Sequence, residues 1–410
     1  MRGLTSATRI VSALLLLLGG VVFSLVLCEI GLRVAGVSYP VFDDFDALRG
    51  VRLRPGKEGW YRGEGESYLR INSLGYRDVE HTLAKPENTF RVAVIGDSFA
   101  EARQVDIKDT FWTHIQRSLA ACPALNGQKV EVLNFGIGGY ATAEELLTFQ
   151  KDAVRFSPSL VLLAFFAPND VHDNSRSLSQ STDWRMPKPT YVYSNGELVL
   201  DSSFRIPVGR QLLYRSVHYF RLMEVFNQAR RVWGQRNIRP ENRSDQVELG
   251  TYHKVYLPPD DDAWREAWQV TEGLLSRFND AVHTSGAKFM VTTITAAEQV
   301  DPDPKRTADL ARRLGVADLR YPERRLAEMG GKHRFPVVTL AEPLQQLAIR
   351  DHVYLHGFKN TMMGEGHWNE RGHAAGADVL SREICRNTLA PASGADTAKK
   401  VASSALTPGQ

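Results

Sequence analysis

A serine, a glycine, an asparagine and a histidine stand at four places in this chain where strands should end, and together they suit acyl-ester chemistry. Ser98 closes the run Phe90-Arg91-Val92-Ala93-Val94-Ile95-Gly96-Asp97-Ser98-Phe99, which reads as a buried strand stopped by a glycine. A hydroxyl becomes a useful nucleophile on a rigid turn, beside a base and beside amide donors. Gly139 lies in Asn134-Phe135-Gly136-Ile137-Gly138-Gly139-Tyr140, Asn169 in Ala167-Pro168-Asn169-Asp170, and His367 in Gly364-Glu365-Gly366-His367-Trp368-Asn369. The backbone amides of Ser98 and Gly139 and the side chain of Asn169 could hold an oxyanion, with His367 as the base.

The elements that must bring these groups together read as an alternation of strands and helices. After Phe90–Ile95 come a strand over Val130–Phe135, a helix over about Thr142–Val154 and the almost wholly apolar strand Ser159–Phe166. A helix over Asp261–Ser285 precedes a strand at Lys288–Thr295. A helix near Pro322–Met329, a short strand at Pro336–Leu340 and a last helix from Glu370 to about Arg386 complete the pattern. Right-handed crossovers then give an open α/β sheet, whose ligands bind at strand ends. The expected fold is a flavodoxin-like, doubly wound parallel sheet with an N-terminal transmembrane helix and an insertion, 172–260, after the third strand.

In these four blocks the chain resembles the SGNH/GDSL hydrolases, most of all their membrane-anchored bacterial members. Gly96-Asp97-Ser98-Phe99 is similar to the family's first block, Gly139 to its oxyanion glycine, Pro168-Asn169-Asp170 to its third block and His367 to its catalytic base. The likeness spans about 300 residues, Phe90 to Arg386. It implies a serine esterase with Ser98 as nucleophile, His367 as base, an oxyanion hole of Ser98, Gly139 and Asn169, and no cofactor. Two positions depart from the pattern. Ala167 stands where the third block usually begins with glycine, and Gly364 where an aspartate usually precedes the histidine. Glu365 is the nearest upstream carboxylate and the candidate to orient the imidazole; a Ser98–His367 dyad is the alternative. Asp97, Asp170 and Asn369 are expected to brace the turns, and His373 to be structural.

Other chemistries fit less well. Gly136 to Ala141 matches G-x-G-x-x-A, but the next strand ends in Phe165-Phe166-Ala167-Pro168 with no acid for a ribose. No Cys-x-x-Cys or His-Glu-x-x-His pattern suggests a metal site. A net charge of +3, with no basic tract interleaved with aromatics, argues against nucleic acid. A non-catalytic envelope module for binding or assembly is the rival reading, favoured by the missing aspartate. Transfer of the acyl group to a glycan would use the same site.

Location is read from the amino end. Ile10–Leu27 is uncharged and apolar, about 27 Å long as a helix, and Arg2 and Arg9 precede it. The expected organisation is a cytoplasmic end at 1–9, a membrane anchor at 10–30 and an extension at 31–89. The hydrolase domain then covers 90–388, and 389–410, rich in Ala, Ser, Thr and Lys, is a disordered tail. A cleaved signal peptide is the alternative to an anchor. The anchor places the domain on the periplasmic side of a bacterial cytoplasmic membrane, where acylated glycans, lipids or small molecules are candidate substrates. Cys122 and Cys385 then lie in an oxidising compartment, on helices expected to share one sheet face, and either pair or remain two buried thiols. Within the insertion, Asn195-Gly196 marks a hairpin and a basic helix runs over about Gly209–Gly234. That helix is a membrane-surface element, a lid, or a scaffold with a solvated face.

Overall fold

The protein is described by a computed structural model covering residues 6–179, 188–204, 207–217, 219–236 and 251–388. The tail expected over 389–410 lies outside the described residues. The chain opens with helix α1 (Ser6–Val34), whose Thr8–Val34 portion is long and apolar enough to cross a membrane and whose side chains are exposed. Two antiparallel pairs follow, β1 (Asp43–Asp46) with β2 (Gly50–Leu53) and β3 (Glu58–Tyr61) with β4 (Ser67–Arg70).

Strand β5 (Thr89–Gly96) then enters the main sheet and runs into the one-turn helix α2 (Ser98–Glu101). Helix α3 (Phe111–Leu119) follows. Thr110 caps it by accepting the Thr113 amide, and Phe111, Trp112, Ile115 and Leu119 form its buried face. Next come β6 (Lys129–Asn134), α4 (Thr142–Lys151), β7 (Leu160–Phe165), α5 (Ala167–Asn174) and the short α6 (Arg176–Ser179). The insertion carries a hairpin, β8 (Thr190–Ser194) and β9 (Glu197–Asp201). Asn195 and Gly196 both have positive φ, 52° and 83°, as a type I′ turn requires.

Where one basic helix was expected, two are present, α7 (Val208–Val217) and α8 (Arg221–Arg236). The break has a physical cause: Glu29 of α1 accepts the Arg221 and Leu222 amides at 3.0 Å, giving α8 a start of its own. Helix α9 (Asp262–Thr284), capped by Asp261, leads to β10 (Lys288–Thr293). Then follow α10 (Pro304–Leu314), α11 (Tyr321–His333), the two-residue β11 (Val337–Val338), α12 (Ala341–Asp351) and α13 (Glu370–Glu383).

The five parallel strands lie in the order β11-β10-β7-β5-β6, the doubly wound arrangement. Alternate side chains feed two cores, as the pleat demands. Ala93, Ile95, Leu133, Val161 and Leu163 pack with α4 and α9 on one face; Val92, Val94, Leu160 and Leu162 pack with α3 and α13 on the other. From the segment 31–89, Leu53, Leu69, Ile71 and Tyr76 belong to the first core. On the second face Cys122 and Cys385 form a disulfide, with Cα atoms 5.8 Å apart. Cys28 is free and exposed on α1.

Candidate active site

Ser98 begins α2, where first-turn amides have no partner within the helix. Asp97 is the cap, accepting the Phe99 amide at 2.9 Å, and its other oxygen accepts from Asn169 Nδ2 at 3.0 Å. The end of β5 is thereby tied to the start of α5. Burial pushes the Asp97 carboxyl up to about 6, against the donations of Phe99 and Asn169 and the field of His367.

His367 reaches this turn from the other end of the chain. Its Nε2 lies 2.8 Å from Ser98 Oγ, hydrogen-bond distance for a nucleophile and its base. The carboxylate on its far side is Glu64, which the sequence did not single out. Oε2 is 2.5 Å from His367 Nδ1, and Oε1 accepts the His367 amide at 2.6 Å. Glu365, the residue expected there, is exposed. Burial raises the Glu64 carboxyl, but the hydrogen bonds and charge of His367 outweigh it and hold it below the usual carboxylate range.

Glu64 sits at the tip of the β3–β4 hairpin. Asn360 grips that tip: its Oδ1 accepts the Gly65 amide and its Nδ2 donates to the Gly65 carbonyl, both at 2.9 Å. Across the gap Gly366 has φ +72°, and a Cβ there would fall 2.1 Å from Glu64 Oε1. Only glycine lets hairpin and histidine loop approach this closely. A signal for Glu64 existed, an acid flanked by glycines in Gly63-Glu64-Gly65. It lay in the extension at 31–89, with no periodicity linking it to His367.

The histidine loop is supported from below. His356, buried and pushed down to about 4 by that burial, has Nδ1 2.7 Å from the Gly366 carbonyl and Nε2 3.1 Å from Thr295 Oγ1. A neutral ring donating at Nδ1 and accepting at Nε2 satisfies both contacts. Asn369 caps α13 through Oδ1, accepting the Arg371 and Gly372 amides, while Nδ2 donates to the Tyr354 and Gly357 carbonyls. The Phe99 ring packs 4.8 Å from His367. His373 accepts the Phe111 amide on Nδ1 at 3.2 Å, inside the second core.

The other two candidate oxyanion donors, Gly139 and Asn169, lie on segments tied to the α2 turn. Gly139 has φ +83°, which glycine adopts without strain, and a Cβ there would meet nothing within 4 Å. The preceding Gly138 amide donates to buried Glu101 Oε2 at 2.6 Å, fixing the loop beside the α2 turn. Glu101 is itself paired with Arg103, which reaches Asp43 at 2.5 Å. Neither Glu101 nor Arg103 was singled out in the sequence. Asp170 braces the third block, its two oxygens accepting the Phe166 amide at 2.7 Å and Thr142 Oγ1 at 3.1 Å. Burial, then the charge of Asp97, pushes the Asp170 carboxyl well above its ordinary value. Among the described residues no group of His, Cys, Asp and Glu is arranged to hold a metal.

No protein-family model matches the chain, and no curated protein matches it. Solved structures that superpose on it include the acetyl xylan esterase AlAXEase, at 12% identity and TM-score 0.37, covering 72% of this chain and 100% of that one. A variant of Axe2, an acetylxylan esterase from Geobacillus stearothermophilus, gives 12% and 0.37, with 72% and 94% covered. A lipase/acylhydrolase from Enterococcus faecalis gives 13% and 0.34, with 72% and 95% covered. Overlaps this loose carry no argument about chemistry, which rests on the side chains described above.

Proposed function

We propose that this chain is a membrane-anchored serine esterase whose triad is Ser98, His367 and Glu64. The observation that carries the reading is the unbroken line of contacts from Glu64 through both ring nitrogens of His367 to Ser98 Oγ. Glu64 accepts from Nδ1–H, which leaves Nε2 free to take the serine proton. As Oγ attacks the ester carbonyl, that proton moves to Nε2 and the imidazolium faces an ionised carboxylate. The carbonyl oxygen becomes an oxyanion held by the Ser98 and Gly139 amides and Asn169 Nδ2. Collapse expels the alcohol, which takes the proton from Nε2. Water, deprotonated by the same nitrogen, then attacks the acyl-enzyme; the carboxylic acid leaves and Oγ regains its proton. The carboxylate absent upstream of His367 was the main support for a non-catalytic module, and Glu64 supplies it from another element.

Helix α1 and the Cys122–Cys385 disulfide support an anchored, extracytoplasmic domain at a bacterial cytoplasmic membrane. That location makes acylated envelope glycans and lipids the substrate class. The test is labelling of the purified full chain with a fluorophosphonate, followed by a panel of short- and long-chain aryl esters. Labelling lost in Ser98→Ala, with turnover lowered roughly 10⁴-fold or more, is expected. Absence of labelling in the unaltered protein overturns the reading.

A further inference from the structure

Helix α8 is tied to the end of the apolar helix and turns its aromatic side chains outward. Glu29, which accepts the first α8 amides, lies two residues beyond the apolar run Ile10–Leu27, about 3 Å further along the helix axis. Arg33 adds a second tie, donating to the Tyr219 carbonyl at 2.6 Å. The start of α8 is therefore held at the level where α1 stops being apolar. Its rotation is set by buried Glu224, which accepts from the Tyr39 amide at 3.0 Å, Ser38 Oγ at 3.2 Å and Arg221 at 2.8 Å.

Phe226 is two positions from Glu224, roughly 200° round the helix, and Trp233 is seven further on, on the same stripe. They are 60% and 71% exposed. Tyr219 and Phe220, at the α7–α8 junction, are 72% and 51% exposed, and Val208 and Leu212 of α7 are 70% and 61% exposed. Arg230 borders the stripe, and the α8 sequence carries four arginines against one glutamate. Large apolar side chains left exposed along one stripe of a helix mark an interaction surface. Aromatic rings at the rim of a membrane span, flanked by arginines, are the composition of a helix lying in the headgroup layer.

We propose that α8 rests on the anionic lipid surface crossed by α1, with Phe226 and Trp233 among the headgroups and Arg230 on a lipid phosphate. This rests on reading α1 as a membrane span. The domain then has two attachments and a fixed face toward the bilayer, whereas a single span would leave it to swivel.

The test places one spin label at a time in the full chain carrying Cys28→Ser, through Leu16→Cys, Phe226→Cys, Trp233→Cys or Glu328→Cys. Cys122 and Cys385 are bonded to each other and stay silent. Each protein is reconstituted in nanodiscs of phosphatidylcholine, with and without phosphatidylglycerol, and its accessibility to oxygen and to a water-soluble nickel chelate is measured. At 226 and 233 the oxygen-to-nickel ratio should exceed that at exposed Glu328 severalfold, and rise when phosphatidylglycerol is added. A ratio equal to that at 328, with Leu16 reporting lipid, overturns the proposal and leaves the anchor standing. Leu16 reporting water overturns both. Labels at 226 and 233 shielded from both reagents mean that a protein covers this face, which also overturns it, and no rise with phosphatidylglycerol overturns the role of charge.

Discussion

Glu64 and His367, 303 positions apart, are joined by two hydrogen bonds that one carboxylate accepts: Oε2 from the ring Nδ1 and Oε1 from the backbone amide of the same residue. The acid thus fixes both the tautomer of the histidine and the position of its loop. Glu64→Gln keeps the shape and loses the charge that stabilises the imidazolium. Its kcat should fall by roughly 10²–10⁴-fold, while Glu365→Gln stays close to the parent. Steady-state kinetics on one aryl ester decide it, and a larger loss in Glu365→Gln would reverse the assignment.

Asp97 and Glu64 should act on stability in opposite senses. The folded Glu64 carboxyl is held below its ordinary 4.5, so it stabilises the native state above that pH and the gain is lost as pH falls through the folded value. Asp97 is raised from 3.8 to about 6, so its ionisation opposes folding increasingly between those values and by a constant amount above them. That cost is on the order of 3 kcal/mol. Urea melts of Asp97→Asn across this range should show its stability rising relative to the parent up to about pH 6 and level beyond. A difference that does not change with pH would remove burial as the cause. The variant should also lose kcat, because Asn169 is held by Asp97.

Two truncations separate anchor from catalytic unit. Removing residues 1–36 deletes α1 and leaves every triad member; aryl-ester turnover should stay within a few-fold of the parent. Removing 1–89 deletes Glu64 and takes Leu53, Leu69, Ile71 and Tyr76 out of the first core, so the product should be insoluble or unfolded by circular dichroism. An active, folded product of the longer deletion would show that the hairpin is dispensable.

The Cys122–Cys385 bond spans 263 residues and ties the segment after α3 to the end of the last helix. The double variant Cys122→Ser/Cys385→Ser should lose about 2–5 kcal/mol in denaturant melts, with kcat little changed if the fold persists. Equal stability of the two proteins would mean that packing of α3 on α13 suffices.

The sheet was legible because its central strands are apolar on both faces, as Val92–Ile95 and Leu160–Phe165 show, and because Gly96 closes the first of them. Ser98, Gly139 and Asn169 were singled out because each follows a recognisable strand, and His367 because it stands just ahead of the last helix. Helices α10 and α12 went unread, and the pairing of the short strands of residues 43–70, each only four residues long, was not legible. Glu64 stayed hidden because a hairpin tip has no period and its partner is at the far end of the chain. The break between α7 and α8 depends on Glu29, a contact across 192 positions that local pattern cannot supply.

Because the acid is at position 64 and the base at 367, a growing chain acquires every other member of the triad well before its last one. On the proposed mechanism, a polypeptide that has not reached residue 367 carries Ser98 without its proton acceptor. Turnover must then wait until residue 367 has been made and its loop has docked against the β3–β4 hairpin, so that the order of synthesis itself delays the chemistry.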